Sequence, residues 1–432
     1  MKSSSIQGLA ATLTLAQAAQ AVTLNTASTT SIKEAAKTIS KNLFAFHNAN
    51  ATTGQFNQPE AWFWWRSGAA WTALMDYQHY TNDTTYSAAL VSSLKTNLGP
   101  NYDFADASQS GWEANDDQAY WLYNALTGME YGFDPIDATH SWEQIAQNVF
   151  AEYVSRWNHD ETTCNGGLKW QYNPSLNGYT YKNTVSNSGF FQTAARLARY
   201  TGNSTYADWA TKIWDWSVGI GFVTAEYHVY DGAGEDQDCT VIDKSEWSYN
   251  IASYMHGAAH MYNYTDTYNH TEAGVWEDRV AGLVKTANET FFKNGIMFEQ
   301  KCEPDMSCSV DNTGFKSSLA RWMGKTAVLV PTQKETIMGL LETSALGAAK
   351  SCAGTGNACG IQWTTGSFDG NSDFGTTLSA FEVIQSLLVF DGAAPLTANS
   401  TVAADSGSKT TDEDESSETS APVKKSCARR RS

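Results

Sequence analysis

Proline is scarce in this chain, at 8 of 432 residues. Because proline breaks helix interiors, its scarcity leaves room for long uninterrupted helices and argues against a loop-rich β fold. Basic residues are also short: 28 Lys and Arg face 46 Asp and Glu, for a formal net charge of −18. A surface of that sign repels phosphate backbones and anionic lipids, which excludes nucleic acid and acidic membrane surfaces as partners. No run reaches the roughly 18 apolar residues that a membrane-spanning helix requires, so no transmembrane segment is expected. The seven cysteines show no Cys-x-x-Cys zinc spacing. There is no Walker loop, no Rossmann fingerprint and no Gly-x-Ser-x-Gly elbow. His256 and His260 stand four apart, but no Glu follows the first and no third ligand is evident. No metal and no cofactor are therefore expected.

The chain is rich in aromatics, with 16 Trp and 20 Tyr, and hydrophobic residues make up 42 % of it. A sizeable core is affordable. Residues 1–21 read as a secretory signal: Lys2, a short apolar stretch, then Ala19–Ala21 as a small-residue cleavage pattern. Seven Asn-x-Ser/Thr sequons, at Asn50, Asn82, Asn203, Asn263, Asn269, Asn288 and Asn399, agree with secretion. So do the cysteines. Cys302 with Cys308 and Cys352 with Cys359 form close pairs, Cys164 and Cys239 make a long-range candidate, and Cys427 is left over. Spacing alone does not fix that connectivity.

Apolar residues recur at helical spacing in about twelve segments, as in "EAAKTISKNLFAF" and "QTAARLARY". They lie near 30–47, 60–80, 83–98, 115–131, 140–157, 187–201, 204–219, 243–263, 272–292, 312–330, 333–351 and 374–391. An echo runs through them: "YTNDTTY" at Tyr80, "YTGNSTY" at Tyr200 and a looser "YTDTY" at Tyr264. Each reads as a junction that ends one helix and caps the next, so the repeating unit is a helical hairpin of about 60 residues. Six hairpins favour a closed ring, an all-α (α/α)6 barrel, over an open solenoid, although sequence does not show closure. The barrel is expected over 22–394. Residues 395–432 turn Ser/Thr-rich, then acidic, then basic, and read as a disordered tail. Their end carries no hydrophobic run of the kind a lipid-anchor signal needs.

One short stretch holds an electrostatic conflict. "GWEANDDQAYW" (Gly111–Trp121) sets Asp116 beside Asp117 among aromatic residues. A helix start explains the pair: Asn115 as N-cap, Gln118 completing a capping box, and both carboxylates favoured by the helix dipole. Glycoside hydrolysis explains it as well, because that chemistry needs two carboxyl groups, one ionised and one protonated. If helix N–H groups hold one aspartate ionised, its charge and the aromatic surroundings raise the proton affinity of the other. The two readings are compatible.

The segment "NDDQAYW" resembles the signature of glycoside hydrolase family 76, the endo-α-1,6-mannanases. Further blocks resemble that family in the right order: "WWRSGAAWTALMDY" (Trp64–Tyr77), "GGLKWQ" continuing to Asn203, "SYNIASYMHGAAHMY" (Ser248–Tyr262), "FKSSLARWMG" (Phe315–Gly324) and "SAFEVIQSLL" (Ser379–Leu388). The resemblance covers roughly residues 22–394. It implies an (α/α)6 barrel and a retaining mechanism, with Asp116 as nucleophile and Asp117 as general acid/base. By position in the matched blocks, Asn115, Trp65, Trp112, Lys182, Asn183, Asn187, Tyr249, Asn250 and Lys316 become candidate substrate-binding residues. Each has a plainer reading: a capped helix start for Asn183, Ser186 and Asn187, a solvated surface lysine for Lys316, and core packing for Trp64, Trp65, Trp112 and Trp121. Two features depart from the family pattern. Arg66 follows the double Trp where an acidic or other polar residue is usual, and "GTTLSAFEV" (Gly375–Val383) lacks a Gln-rich stretch. Three activities follow as expectations. The first is hydrolysis of α-1,6-mannan by a secreted or cell-wall monomer. The second is transfer onto another sugar, as in proteins acting on GPI-anchor glycans. The third is mannan binding without catalysis.

Overall fold

The computed structural model describes residues 21–47, 53–56, 64–105, 113–268 and 272–400. Twelve α-helices occupy the described residues. They are α1 (Thr29–Phe44), α2 (Trp64–Thr81), α3 (Ser87–Asn97), α4 (Asn115–Tyr131), α5 (Trp142–His159), α6 (Thr184–Thr201), α7 (Ser204–Ile220), α8 (Ser248–Tyr268), α9 (Ala273–Phe291), α10 (Phe315–Leu329), α11 (Lys334–Ser351) and α12 (Phe374–Gln385). All twelve expected segments are present. Their ends move where tighter turns take over. Asn312–Gly314 is a 3-10 turn ahead of α10, and Ser386–Leu388 is another that finishes α12.

Burial sorts the helices into two kinds. The odd-numbered ones carry a single apolar stripe: α1 buries Ile32, Ala35, Ala36, Ile39 and Leu43, and α9 buries Trp276, Val280, Leu283, Val284, Ala287 and Phe291. That is the pattern of a helix with one face on a core and one in solvent. The even-numbered helices are buried nearly all round, polar residues included. They pack in the order α2, α4, α6, α8, α10, α12, and α12 returns to α2. The inner ring is closed, so the architecture is an (α/α)6 barrel rather than an open solenoid. Each inner helix is followed by an outer one that brings the chain back, so all six inner helices point the same way and their N-termini share one mouth.

The repeated motifs mark crossings at the opposite end. In "YTGNSTY", Gly202 ends α6 in the left-handed region at φ 72, and the Asn203 side chain accepts from Thr205 N to start α7. In "YTNDTTY", Asn82 takes the left-handed position at φ 60, and Asp83 Oδ1 accepts from Thr85 N at 3.0 Å. These are a helix C-terminus and a new start fused into one turn. The third copy does not act this way: Tyr264–Tyr268 stays inside α8, because it lacks the Gly or Asn that the left-handed stop favours.

Short strands decorate the mouth. β1 (Tyr181–Asn183), β2 (Gly232–Gly234) and β3 (Ile242–Asp243) form an antiparallel sheet in that order, with Asn183 opposite Gly232. β4 (Phe292–Lys293) and β5 (Ile296–Met297) make a hairpin. Cys164–Cys239 ties the loop after α5 to the loop after β2, while Cys302–Cys308 and Cys352–Cys359 close short loops. These are the three pairings the spacing suggested. At the other end, Leu396 N donates to Glu130 O at 2.7 Å, and Arg199 donates to the carbonyls of Pro395 and Leu396 at 2.8 and 3.0 Å. The first residues past 394 thus bind the barrel. The signal reading of residues 1–20, Cys427 and the tail from 401 onward lie outside the described residues. No helix among the described residues is long and apolar enough to cross a membrane.

Candidate active site

The aspartate pair stands in the first turn of α4, at the barrel mouth. The cap differs from the expected one. Ala114 is the N-cap, with extended φ −124 and ψ 171. Asp117 reaches back so that its Oδ2 accepts from Ala114 N at 2.9 Å, which is the carboxylate half of a capping box. Asn115 and Gln118 are drawn away by tertiary partners. Asn115 donates to Lys169 O at 2.9 Å and accepts from Arg156 at 2.7 Å. Gln118 donates to Asp103 O at 2.8 Å and accepts from Arg156 at 2.6 Å. A guanidinium is a stronger donor than a helix amide, so Arg156 wins both side chains. Asp116 Oδ1 accepts from Asp117 N at 3.1 Å, and its Oδ2 accepts from Asn183 Nδ2 at 3.3 Å. Asn183 is itself the N-cap of α6, delivered there by β1.

Trp65, Asp116, Asp117, Tyr120, Val185, Tyr249, Asp311 and Phe315 line a cavity of about 300 Å³ that is open to solvent on one side. They come from the first two turns of five inner helices, or, for Asp311, from the loop just ahead of α10. Helix N-termini present unpaired N–H groups and favour negative charge. Aromatic rings form much of the wall: Trp65 lies 4.6 Å from Tyr120 and 6.2 Å from Phe315, and Tyr249 lies 4.3 Å from Phe315, between ring centroids. Such faces suit the C–H surface of a sugar ring.

No cation stands among those eight lining residues, and the proton affinities follow from that. Burial raises the Asp116 carboxyl above the ordinary carboxylate range, while backbone N–H groups and Asn183 pull it back. Burial raises Asp117 far more, and the neighbouring Asp116 charge adds to the rise. The pair is therefore split: Asp117 holds its proton and Asp116 is the easier to ionise.

The other candidates divide sharply. Trp65 and Tyr249 line the cavity, and Asn183 touches Asp116. Asn115 is spent on Arg156 and the Lys169 carbonyl. Lys182 is fully buried and donates to the carbonyls of Asp160, Thr163 and Gly166 at 3.0, 2.8 and 2.6 Å, so it clamps the loop after α5 instead of facing the cavity. Asn187 donates to Leu168 O and Asn183 O at 2.9 and 2.8 Å and accepts from Leu168 N, which steadies Asn183 from behind. Asn250 is buried beside Asp231. Lys316 is neither a surface lysine nor a cavity residue: it pairs with Glu303 at 2.7 Å, donates to Ile361 O and lies 3.8 Å over the Trp363 ring. Trp64 and Trp121 stack on each other at 5.0 Å in the core. Trp112 lies outside the described residues. His256 and His260 sit deep in the barrel, Nε2 to Nε2 at 3.1 Å, and no cluster of three metal-ligating groups occurs among the described residues. Asp311, Tyr120, Val185 and Phe315 were missed. Asp311 lies in an irregular loop, where no periodicity singles it out.

Comparison with known proteins agrees with this geometry. Residues 31–399 match the family model of Glycosyl hydrolase family 76. The mannan endo-1,6-alpha-mannosidase DCW1 of Saccharomyces cerevisiae is 37 % identical over 399 residues, covering 90 % of this chain and 86 % of that protein. The mannan endo-1,6-alpha-mannosidase DFG5 of the same organism is 39 % identical over 391 residues, covering 89 % and 83 %. The crystal structure of Dfg5 from Chaetomium thermophilum in complex with glucosamine has a TM-score of 0.82 at 34 % identity, covering 88 % of this chain and 95 % of that one. An inactive variant of the α-1,6-mannanase GH76A of Salegentibacter sp. HEL1_6, in complex with α-1,6-mannotriose, shares the fold, with a TM-score of 0.66 at 16 % identity over 83 % and 99 % of the chains. The chain belongs to glycosyl hydrolase family 76.

Proposed function

We propose that the protein is a secreted, monomeric, retaining endo-α-1,6-mannosidase whose catalytic domain spans 22–394. The observation that carries the reading is the pair itself: two adjacent carboxyls in one aromatic-walled cavity, with unequal proton affinities. Asp116, half-open to the cavity, attacks the anomeric carbon. The glycosidic C–O bond breaks, and Asp117 gives its proton to the leaving oxygen. A mannosyl ester on Asp116 results. Asp117, now ionised, takes a proton from water as that water attacks the anomeric carbon and frees Asp116. The cavity lining offers no cation for an anionic substrate, which suits a neutral polysaccharide. Three disulfides agree with an oxidising, extracellular setting. The named activity of relatives sharing 37 % and 39 % identity points the same way.

The test is Asp116→Asn, incubated with linear α-1,6-mannan and the products sized. The expected outcome is a folded protein with turnover lowered by about 10³-fold or more. Full activity in that variant would sink the assignment. A second reading, transfer of the glycosyl group to another sugar, shares the first step. The Chaetomium thermophilum relative is in complex with glucosamine, and a carboxylate-lined cavity also suits an amino sugar as acceptor. Chain-lengthened products with an added acceptor glycan would select transfer over hydrolysis.

A further inference from the structure

The two-step chemistry leaves one carboxyl of the cavity without a task. Asp311 lines the same space as Asp116 and Asp117. It enters from the loop ahead of α10, and α10 stands opposite α4 in the inner ring. That loop is tightly built. Cys302–Cys308 closes its start. Ser309 donates to Asn312 Oδ1 through both N and Oγ, at 3.0 and 2.9 Å. Thr313 Oγ1 donates to Asp373 Oδ2 at 2.8 Å, and Thr313 O accepts from Ser379 Oγ at 2.9 Å. Gly375, in the first turn of α12, lets the loop come close, because a Cβ there would collide with Arg66 and Thr313.

The carboxyl is oriented as well as placed. Trp65 Nε1 donates to Asp311 Oδ1 at 3.2 Å. Burial leaves the proton affinity of Asp311 raised, and the Arg66 guanidinium and the Trp65 bond offset part of that rise. Arg66 is anchored in turn, 3.9 Å from Asp373 and 5.1 Å over the Phe374 ring. An ionised carboxylate offers only acceptors, and a neutral sugar brings hydroxyl donors into the same 300 Å³.

We propose that Asp311 is a further substrate-binding residue, whose carboxylate accepts a hydroxyl of the mannosyl ring that Asp116 attacks. The inference rests on the mannosidase reading. A hydroxyl bonded to a carboxylate forms a charge-assisted hydrogen bond, and its loss is read as about a 10- to 100-fold fall in kcat/KM. Arg66 and Trp65 serve by holding the acceptor in place.

The experiment compares wild type, Asp311→Ala and Asp311→Asn on aryl α-1,6-mannobiosides. In these the ring at the cleaved bond keeps all its hydroxyls or lacks the one at C2, C3 or C4. Wild type should lose about 10- to 100-fold on one deoxy substrate. Asp311→Ala should lose a similar factor on the full substrate, show no further loss on that one deoxy compound, and still discriminate against the others. A variant that is weaker on every substrate by one common factor overturns the proposal and makes Asp311 part of the scaffold. So does the failure of both variants to fold, read by thermal melting. Wild type that turns over none of the substrates sinks the mannosidase reading itself. Active wild type whose deoxy pattern Asp311→Ala reproduces sinks only this inference.

Discussion

Two groups of buried carboxyls lie on the inner helices, one toward each end of the barrel, and they behave in opposite ways. At the closed end, Asp76 accepts from Arg321 at 2.6 Å and from Lys325 at 2.8 Å. Glu130 accepts from Arg196 Nε and Nη2 at 2.8 and 2.7 Å. Burial pushes Glu130 upward, yet Arg196 and then His260 overcome it and bring its pKa to about 2. At the mouth, Asp116 and Asp117 meet the same burial with helix N–H groups and one asparagine amide in place of cations, and burial wins. Glu382 bridges the two cases. It sits at the closed end, but Arg321 is committed to Asp76 and stands 3.8 Å away from it, so burial lifts Glu382 to about 8. Depth alone does not decide whether a carboxyl is ionised. The partner decides, and the aspartate pair at the mouth is the one without a cation among its stabilising partners.

The comparison is broken most forcefully by removing a cation from the closed end. Arg196→Met strands Glu130 as an uncompensated buried charge. The expected loss is about 3–5 kcal/mol of unfolding free energy, with kcat per folded molecule nearly unchanged. Urea denaturation of the two proteins measures it. Asp117→Asn at the mouth should do the reverse: lose activity and keep or gain stability, because it removes a buried group that had no counter-charge. If both variants lose stability alike, the two ends do not differ as described.

The two ends also predict opposite responses of stability to pH. The folded pKa of Glu130 is depressed to about 2. Its contribution is complete above the unfolded carboxylate range and is lost as pH falls toward that value. Asp116 and Asp117 are raised. The folded state binds their protons more tightly than the unfolded chain, so they erode stability as pH climbs out of the ordinary carboxylate range. Denaturation midpoints at pH 5 and pH 8 should show the Asp116→Asn, Asp117→Asn double variant gaining on wild type at the higher pH. An unchanged gap would mean that the pair is not raised.

Much of this was legible in the chain. Twelve periodic segments gave twelve helices, and the adjacent aspartates lie in the cavity of the candidate site. Spacing does not tell an inner helix from an outer one, because both repeat every 3.6 residues. The difference lies in what fills the remaining positions. Polar residues such as Asp76 with Arg321 and Glu130 with Arg196 are buried against each other from helices 245 and 66 positions apart in the chain. The candidates that do not face the cavity are turned away for the same reason. Lys182 and Lys316 look available until the carbonyls of Asp160, Thr163 and Gly166, or the Glu303 carboxylate and Ile361 carbonyl, arrive from other segments. Asp311 was invisible because its position depends on Trp65, some 246 residues away, and on a loop without a period. Asn183 was legible as a cap, since a capped helix start is a local feature.

Asn183 also offers the finest test of the mouth, because it performs two tasks at once. Its Oδ1 accepts from Ser186 N as the cap of α6, and its Nδ2 donates to Asp116 at 3.3 Å. Asn183→Ala removes both. It should cost about 1 kcal/mol of stability for the cap. It should also move the acidic limb of the kcat/KM profile to higher pH, because Asp116 loses a bond that favours its ionised form. Asn183→Ser separates the tasks. A serine hydroxyl restores the cap and most of the stability, but its shorter side chain falls short of Asp116. The melting temperature should therefore recover while the acidic limb stays displaced. If the serine variant recovers both, the cap alone matters and Asn183 has no part in setting the charge of Asp116. If it recovers stability only, a single amide at the mouth does weakly what Arg196 does strongly at the closed end.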